Sequence, residues 1–353
     1  MTPIANTNLT IVSLLFLSFI FSLLINYILL KFASTLGIRS KNQNEIRWNP
    51  KYKPSLGGIS FYIGFLFSFI FLVLINTDFQ SQKLQMLGVL LSCSLAFLMG
   101  LSDDAFNTQP LLKLITQIVC ALVLIYSGIY IKLFENALIN YALTVFWIVG
   151  IMNSVNLLDN MDGIVGIVGV NIALFFILIS ITLQIANGYI AIFNICLMGT
   201  LLGFLVFNFH PSKMYMGDSG SQFLGLFLSA IGIDMCWNMD IFNNSFSFTI
   251  ENLCVVLLVF LLPITDTTTV FTNRILKGNS PFVGGKDHTT HHLFFRGFSE
   301  KRIAVLYFLI SLIGVILAYN LIFNHTPTLL YISIFYILAV FLTLYLNTVI
   351  KKR

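Results

Sequence analysis

The chain has 353 residues, 58% of them hydrophobic and only 9% charged, with a formal net charge of +5; soluble domains carry about 25% charged residues. Water could not solvate a fold with so little polar surface, so a soluble globular protein is excluded and no nucleic-acid partner is expected.

Apolar runs near the roughly 20 residues needed to cross hydrocarbon recur along the whole chain, separated by short polar gaps. They predict an all-α, polytopic membrane bundle forming a single domain over 1–353. Eleven spans are expected, at 9–30, 57–76, 84–101, 111–131, 141–157, 163–183, 188–207, 220–237, 249–271, 303–323 and 328–349, with ten as the alternative count. The first basic residue, Lys31, follows the first run, which therefore lacks the charged flank of a cleaved signal peptide and is expected to remain as a membrane helix. Cys93, Cys120, Cys196, Cys236 and Cys254 are scattered in or beside apolar runs without a CxxC, and are read as packing residues.

Lysine and arginine accumulate in short cytoplasmic loops. With the N-terminus outside, eleven spans place Lys31, Arg39, Lys41, Arg47, Lys51, Lys53, Lys213, Arg274, Lys277, Lys286, Arg296, Lys301, Arg302 and the tail Lys351 to Arg353 inside, with Lys113 at the inner end of span four. Only Lys83 and Lys132 stay outside. A multi-pass plasma (inner) membrane protein with a cytoplasmic C-terminus is expected. The basic run from Lys31 to Lys53 is read mainly as a topology signal, with attraction of anionic headgroups as the alternative.

Four polar clusters then fall on the cytoplasmic side. Asp103-Asp104 is either an acidic cap on span four or a pair that holds a divalent cation or orients a phosphate, with Lys113 two and a half turns on. In Asn153 to Gly163, helical spacing puts Asn156, Asp159, Asn160 and Gly163 on one stripe; an Asn/Asp-rich loop is the alternative. Ionisable groups at membrane depth are costly, which favours a functional site. In Tyr215-Met-Gly217-Asp218-Ser-Gly220-Ser, the glycines permit a turn whose backbone N–H groups suit phosphate oxygens, and Asp218 offers a metal ligand; a plain turn is the alternative. His288, His291 and His292 stand at i, i+3 and i+4 and read as donors to a pyrophosphate, as a zinc site, or as solvated loop histidines.

Together these strings resemble the polyprenyl-phosphate N-acetylhexosamine-1-phosphate transferases. The similarity runs in the family's order from Pro54-Ser-Leu-Gly57-Gly58 to about Arg296. The resemblance implies that Asp103 and Asp104 are the family's paired aspartates and Lys113 its phosphate-contacting lysine. Asn156 would be a metal-contacting amide, Asp159 an active-site acid, Asp162 a uracil contact and Asp218 the magnesium aspartate. Tyr215 takes the place of an aromatic that stacks on uracil, where Phe is commoner. The last-loop histidine motif reads Asp287-His288-Thr-Thr-His291-His292 in place of HxHH or HHH, which leaves open which histidine meets phosphate.

The implied substrates are a UDP-amino sugar, resembling the N-acetylglucosamine branch more than the muramoyl-pentapeptide branch, and undecaprenyl phosphate or a similar polyprenyl phosphate. The implied cofactor is Mg2+, with Mn2+ as an alternative, and a homodimer is an open state. A secondary transporter is disfavoured because its polar residues commonly lie near the midplane. A CDP-alcohol phosphotransferase would need Ala-Arg after Asp162-Gly163, where Ile164-Val165 stand, and a DDxxD prenyl-diphosphate site fails at Ala105-Phe-Asn107.

Overall fold

The computed structural model describes residues 3–33, 53–75, 82–184, 188–239, 249–280, 285–324 and 326–350. Arg39, Lys41, Arg47, Lys51 and the basic tail 351–353 lie outside the described residues. The helices are α1 (Pro3–Phe32), α2 (Gly57–Ile75), α3 (Lys83–Phe106), α4 (Pro110–Tyr126), α5 (Ala137–Leu158), α6 (Ile164–Thr182), α7 (Tyr189–Asn208), α8 (Gly217–Gly232, continued by a π-turn over Ile233–Trp237), α9 (Ile250–Val259), α10 (Leu261–Leu276), α11 (Thr289–Phe295), α12 (Glu300–Asn324) and α13 (Pro327–Val349). Among the described residues, the β content is a single isolated bridge between Ser55 and Tyr215.

Nine of these segments are long and apolar enough to cross a membrane, and ten if α9 and α10 are one span bent by 84°. The eleventh expected span falls on α4, an apolar helix of only 17 residues that is shorter than these. Helices satisfy every backbone group internally, the requirement for structure in lipid.

α8 is the central helix, 94% buried, whereas α13 is only 11% buried. α8 packs against α2, α3, α5 and α6; α1 lies on α7, and α12 on α6 and α9. Phenylalanines fill the α2–α7–α8 seam, with Phe61 on Phe204 at 4.9 Å and Phe65 on Phe223 at 5.5 Å between ring centroids. Lipid tails are as apolar as these side chains, so close packing rather than burial from water holds the helices together. Leu74, Tyr126, Phe146, Tyr331 and Phe335 point outward, as lipid-facing residues should.

Two close approaches set the position of the α8 N-terminus. A Cβ on Gly58 would lie 2.2 Å from the Gly220 backbone nitrogen, and one on Gly100 would lie 2.3 Å from the Asp218 carbonyl oxygen. Both α2 and α3 therefore touch the α8 backbone directly. Gly57 and Gly58 also donate to the carbonyls of Tyr215 (3.1 Å) and Met216 (2.9 Å), so the chain entering α2 and the chain entering α8 run side by side.

Three local expectations are corrected. α3 continues through Asp103-Asp104 to Phe106, so the pair ends span three; α4 instead begins at Pro110 behind Gln109, which makes no side-chain cap. Proline at the first helical position needs no donor there. The stripe from Asn156 to Gly163 does not persist, because α5 stops at Leu158 and Asp159 to Gly163 form a turn with Gly163 at φ 79°. The span expected at 249–271 is broken at Phe260 into α9 and α10.

Candidate active site

The ends of α3, α5 and α7 and the beginnings of α4 and α8 bring the first three polar clusters into one connected group. Asp103 (7% exposed) accepts from the Thr108 backbone N–H at 2.8 Å and hydroxyl at 2.7 Å, and its other oxygen pairs with Lys113. Lys113 Nζ also reaches Asp218 Oδ2 at 3.1 Å, so one ammonium joins two carboxylates from different helices. Asn156 Nδ2 donates to Asp218 Oδ1 at 2.7 Å and to Ser221 Oγ at 2.8 Å.

Asp104 has a different task. Its two oxygens accept from the backbone N–H groups of Asp218 and Ser219, both at 2.9 Å. It is thus a capping acid, but for α8, supplied from 114 residues away. The free N–H groups of a helix start need such partners, and a carboxylate there is favoured by the helix dipole. With both oxygens engaged, Asp104 fixes the backbone of Asp218 in place.

Asp159 follows α5 directly, and withdrawal from water, together with the charges of Asp104 and Asp162, pushes its carboxyl up to about 7. Asp162 lies three residues on and has partners of its own within the group. Its oxygens accept from Ser212 Oγ (2.7 Å), Ser212 N (3.0 Å) and Lys53 Nζ (3.2 Å). Lys53 also donates to Ser212 Oγ at 2.7 Å and lies 5.0 Å over the Tyr215 ring. In sequence Lys53 only ends a basic run that marks topology; in the fold it is the cation between Asp162 and Tyr215. Only the bridge of Tyr215 to Ser55, with Tyr215 N donating to Pro54 O at 2.9 Å, brings it there.

His210 Nδ1 sits 3.4 Å from Asp162 and 2.8 Å from Glu300. Ligand-type atoms of these three lie within 4.8 Å of one another. Lys53 already places a cation on Asp162, which makes this an ion-pair cluster joining the α7–α8 connection to the start of α12.

The last loop docks on the same segment through Asn160. Thr290 Oγ1 donates to Asn160 Oδ1 at 2.5 Å, and His291 Nε2 lies 3.3 Å from the Asn160 carbonyl. Burial and the neighbouring His288 push His291 down to about 4, so its ring is neutral near neutrality. His288 caps the start of α11 by position and rests 5.2 Å from His291, ring to ring, while His292 faces Phe295. Arg274 clamps Asp287 with two bonds of 2.7 Å. Burial pushes the Asp287 carboxyl up, and the Arg274 guanidinium outweighs it, leaving the group below the usual carboxylate range. Among the described residues, Asp162, His210 and Glu300 are the one group of three such side chains whose ligand-type atoms all lie within 4.8 Å of one another.

A family model described as glycosyl transferase family 4 matches residues 86–236. A decaprenyl-phosphate N-acetylglucosaminephosphotransferase of Mycobacterium leprae is 30% identical over 285 residues, covering 72% of this chain and 70% of the relative. The chain belongs to glycosyl transferase family 4. This family 4 chain is also 28% identical, over 91% of its length and 87% of the relative, to a probable undecaprenyl-phosphate N-acetylglucosaminyl 1-phosphate transferase of Bacillus subtilis. A phospho-N-acetylmuramoyl-pentapeptide-transferase of Carboxydothermus hydrogenoformans is 28% identical over 75% of this chain and 83% of the relative. The segment matched by the family model contains Asp103, Asp104, Lys113, Asn156, Asp159, Asp162, Tyr215 and Asp218; Lys53 and the α11 histidines lie outside it.

Proposed function

We propose that this family 4 protein transfers N-acetylglucosamine 1-phosphate from UDP-N-acetylglucosamine to undecaprenyl phosphate or a similar polyprenyl phosphate on the cytoplasmic face of the plasma membrane, starting a cell-envelope polysaccharide. The observation that carries the reading is the convergence of Asp103 and Asp218 on Lys113, with Asn156 on Asp218. A lysine between two carboxylates at a membrane-helix end suits a site that must bind both a divalent cation and phosphate.

The donor set fits Mg2+: the Asp218 carboxylate and the Asn156 amide both offer hard oxygen ligands, with positions left for substrate oxygens as this ion prefers. Asp218 and Asn156 would hold it, with the Asn156 amide turned to present Oδ1. When bound, Mg2+ supplies charge neutralisation on the pyrophosphate. Mn2+ would serve similarly.

In the proposed step a phosphate oxygen of the lipid attacks the sugar-linked phosphorus, that P–O bond forms, the bond to the bridging oxygen breaks, and UMP leaves. Catalysis of this kind is mostly positioning and charge balance. Lys113 would meet a phosphate oxygen, and His288, His291 and His292 would border the charge developing on UMP. A phosphate monoester with a second pKa of about 6 is largely dianionic at neutral pH, so little base catalysis is required of Asp103, Asp104 or Asp159. Asp162, Lys53 and Tyr215 would receive the uracil, with the ring as stacking face and the ammonium and carboxylate at its polar edge.

The muramoyl-pentapeptide nucleotide is the second reading, favoured by the Carboxydothermus relative. Competition between the two UDP-sugars at equal concentration, with purified protein, undecaprenyl phosphate and Mg2+, tests the choice. A higher kcat/KM for UDP-N-acetylglucosamine supports the proposal; a higher value for the pentapeptide nucleotide overturns the branch assignment.

A further inference from the structure

Asp266 is a carboxylate on α10 for which the proposed reaction has no use, yet it is 1% exposed. It lies beyond the break that turns α10 by 84° from α9. Its Oδ1 accepts from the Thr289 backbone N–H at 2.9 Å and from the Thr289 hydroxyl at 2.5 Å, and its Oδ2 faces His288 Nδ1 at 2.8 Å. The Thr289 hydroxyl is in turn 2.6 Å from the Tyr307 hydroxyl of α12. No lysine or arginine shares this carboxylate among the described ion pairs. A charge removed from water at membrane depth is costly, and such groups are kept where they act.

We propose that Asp266 is a positioning residue that fixes the His288 ring, committing Nδ1–H to the carboxylate and leaving Nε2 as the nitrogen with which His288 meets a phosphate. The hydrogen bond made by one imidazole nitrogen decides what the other can do. The inference rests on the phosphate-binding role given to the α11 loop above, and on geometry for the rest. α11 is anchored to Asn160 beside Asp159 through Thr290 and His291, so the ring that Asp266 orients belongs to the segment packed on the site.

An Asp266→Asn variant reverses the arrangement. The Thr289 N–H must still donate, which keeps the amide oxygen on that side and turns the amide NH2 toward His288. Nδ1 must then accept, and the proton moves to Nε2.

The test is 15N NMR of histidine-labelled full-length protein in detergent, read beside turnover. Wild-type His288 is expected to carry a proton on Nδ1. Asp266→Asn is expected to lose it and to lower kcat about 100-fold with a much smaller change in KM, the pattern of a misplaced group rather than lost binding. Thr289→Val removes the hydroxyl from the same carboxylate without altering the demand on Nδ1, and is expected to keep the Nδ1 proton and most turnover. An unprotonated Nδ1 in neutral wild-type His288 overturns the proposal without any variant. So does an equal loss of turnover in Thr289→Val and Asp266→Asn with the Nδ1 proton retained in both, which marks the cluster as purely structural. Expected nitrogen signals in a wild type that turns over no UDP-sugar would refute the proposed function and leave the role of Asp266 standing.

Discussion

Asp218 receives contacts from three helices at once: Lys113 of α4, Asn156 of α5 and, through its backbone, Asp104 of α3. Replacing it with asparagine keeps the shape and removes the charge a hard cation requires. With Mg2+ held as proposed, Asp218→Asn is expected to remain folded while turnover falls by about 100-fold or more, because several kcal/mol of charge stabilisation would go with the metal; added Mg2+ should recover little. Near-normal rates from the purified variant would take Asp218 out of the metal site. Asp159 makes a second prediction, independent of role. Its carboxyl rises from 3.8 to about 7 on folding, so the native state binds the proton more tightly than the unfolded chain. That contribution to stability is fully present below about pH 4 and is lost as pH rises toward 7. In chelator-containing detergent, the wild-type Tm should fall more steeply from about pH 5 to pH 8 than that of Asp159→Asn, and parallel slopes would contradict the shift. The aspartates, Lys113 and Asn156 were legible in the sequence because each sits in a compact polar string inside apolar surroundings. The partner of Asp104 was not, since the cap it supplies belongs to a helix that starts more than a hundred residues later. Lys53 was hidden for a similar reason: in sequence it ends a basic run, and only the Ser55–Tyr215 bridge reveals its use.

At the scale of elements, the site is a meeting of helix ends, and its precision depends on how closely α8 approaches α2 and α3. Gly100 touches the Asp218 carbonyl with no room for a methyl group. Gly100→Ala must therefore push the α8 start away from α3, moving Asp218 against Lys113 and Asn156. An expected displacement of about 1 Å corresponds to about 100-fold in rate, with a smaller effect on Tm because the rest of the α3–α8 seam is unaltered. Full activity in this variant would show that the position of the α8 start is not critical. Hydropathy located these helices well, since a span of lipid-exposed length announces itself. It could not show the break at Phe260, where α9 and α10 together carry enough apolar residues for one straight span, nor that Asp266 beyond the break would reach His288.

For the whole molecule, the polar clusters of distant segments form one connected group at the ends of alternating helices, as the expected topology requires. The basic residues divide so unevenly between loops that an outside N-terminus and inside C-terminus are predicted. Reporter fusions after Arg353 and in the 272–302 loop should both register in the cytoplasm; a signal from the outer side at either would overturn the orientation. The proposed sugar and lipid rest on resemblance, because the pocket that would choose between a hydroxyl and a lactyl-peptide is a shape, and shape is not a property of a motif. The chemistry is open to a more direct measurement: the identity of the nucleotide released when purified protein is given UDP-N-acetylglucosamine, undecaprenyl phosphate and Mg2+. Transfer of a sugar phosphate predicts UMP in amounts equal to a lipid-linked diphosphosugar, with neither formed when the lipid or the metal is left out. Release of UDP, which means transfer of the sugar alone, or of UMP without the lipid acceptor, would contradict the account.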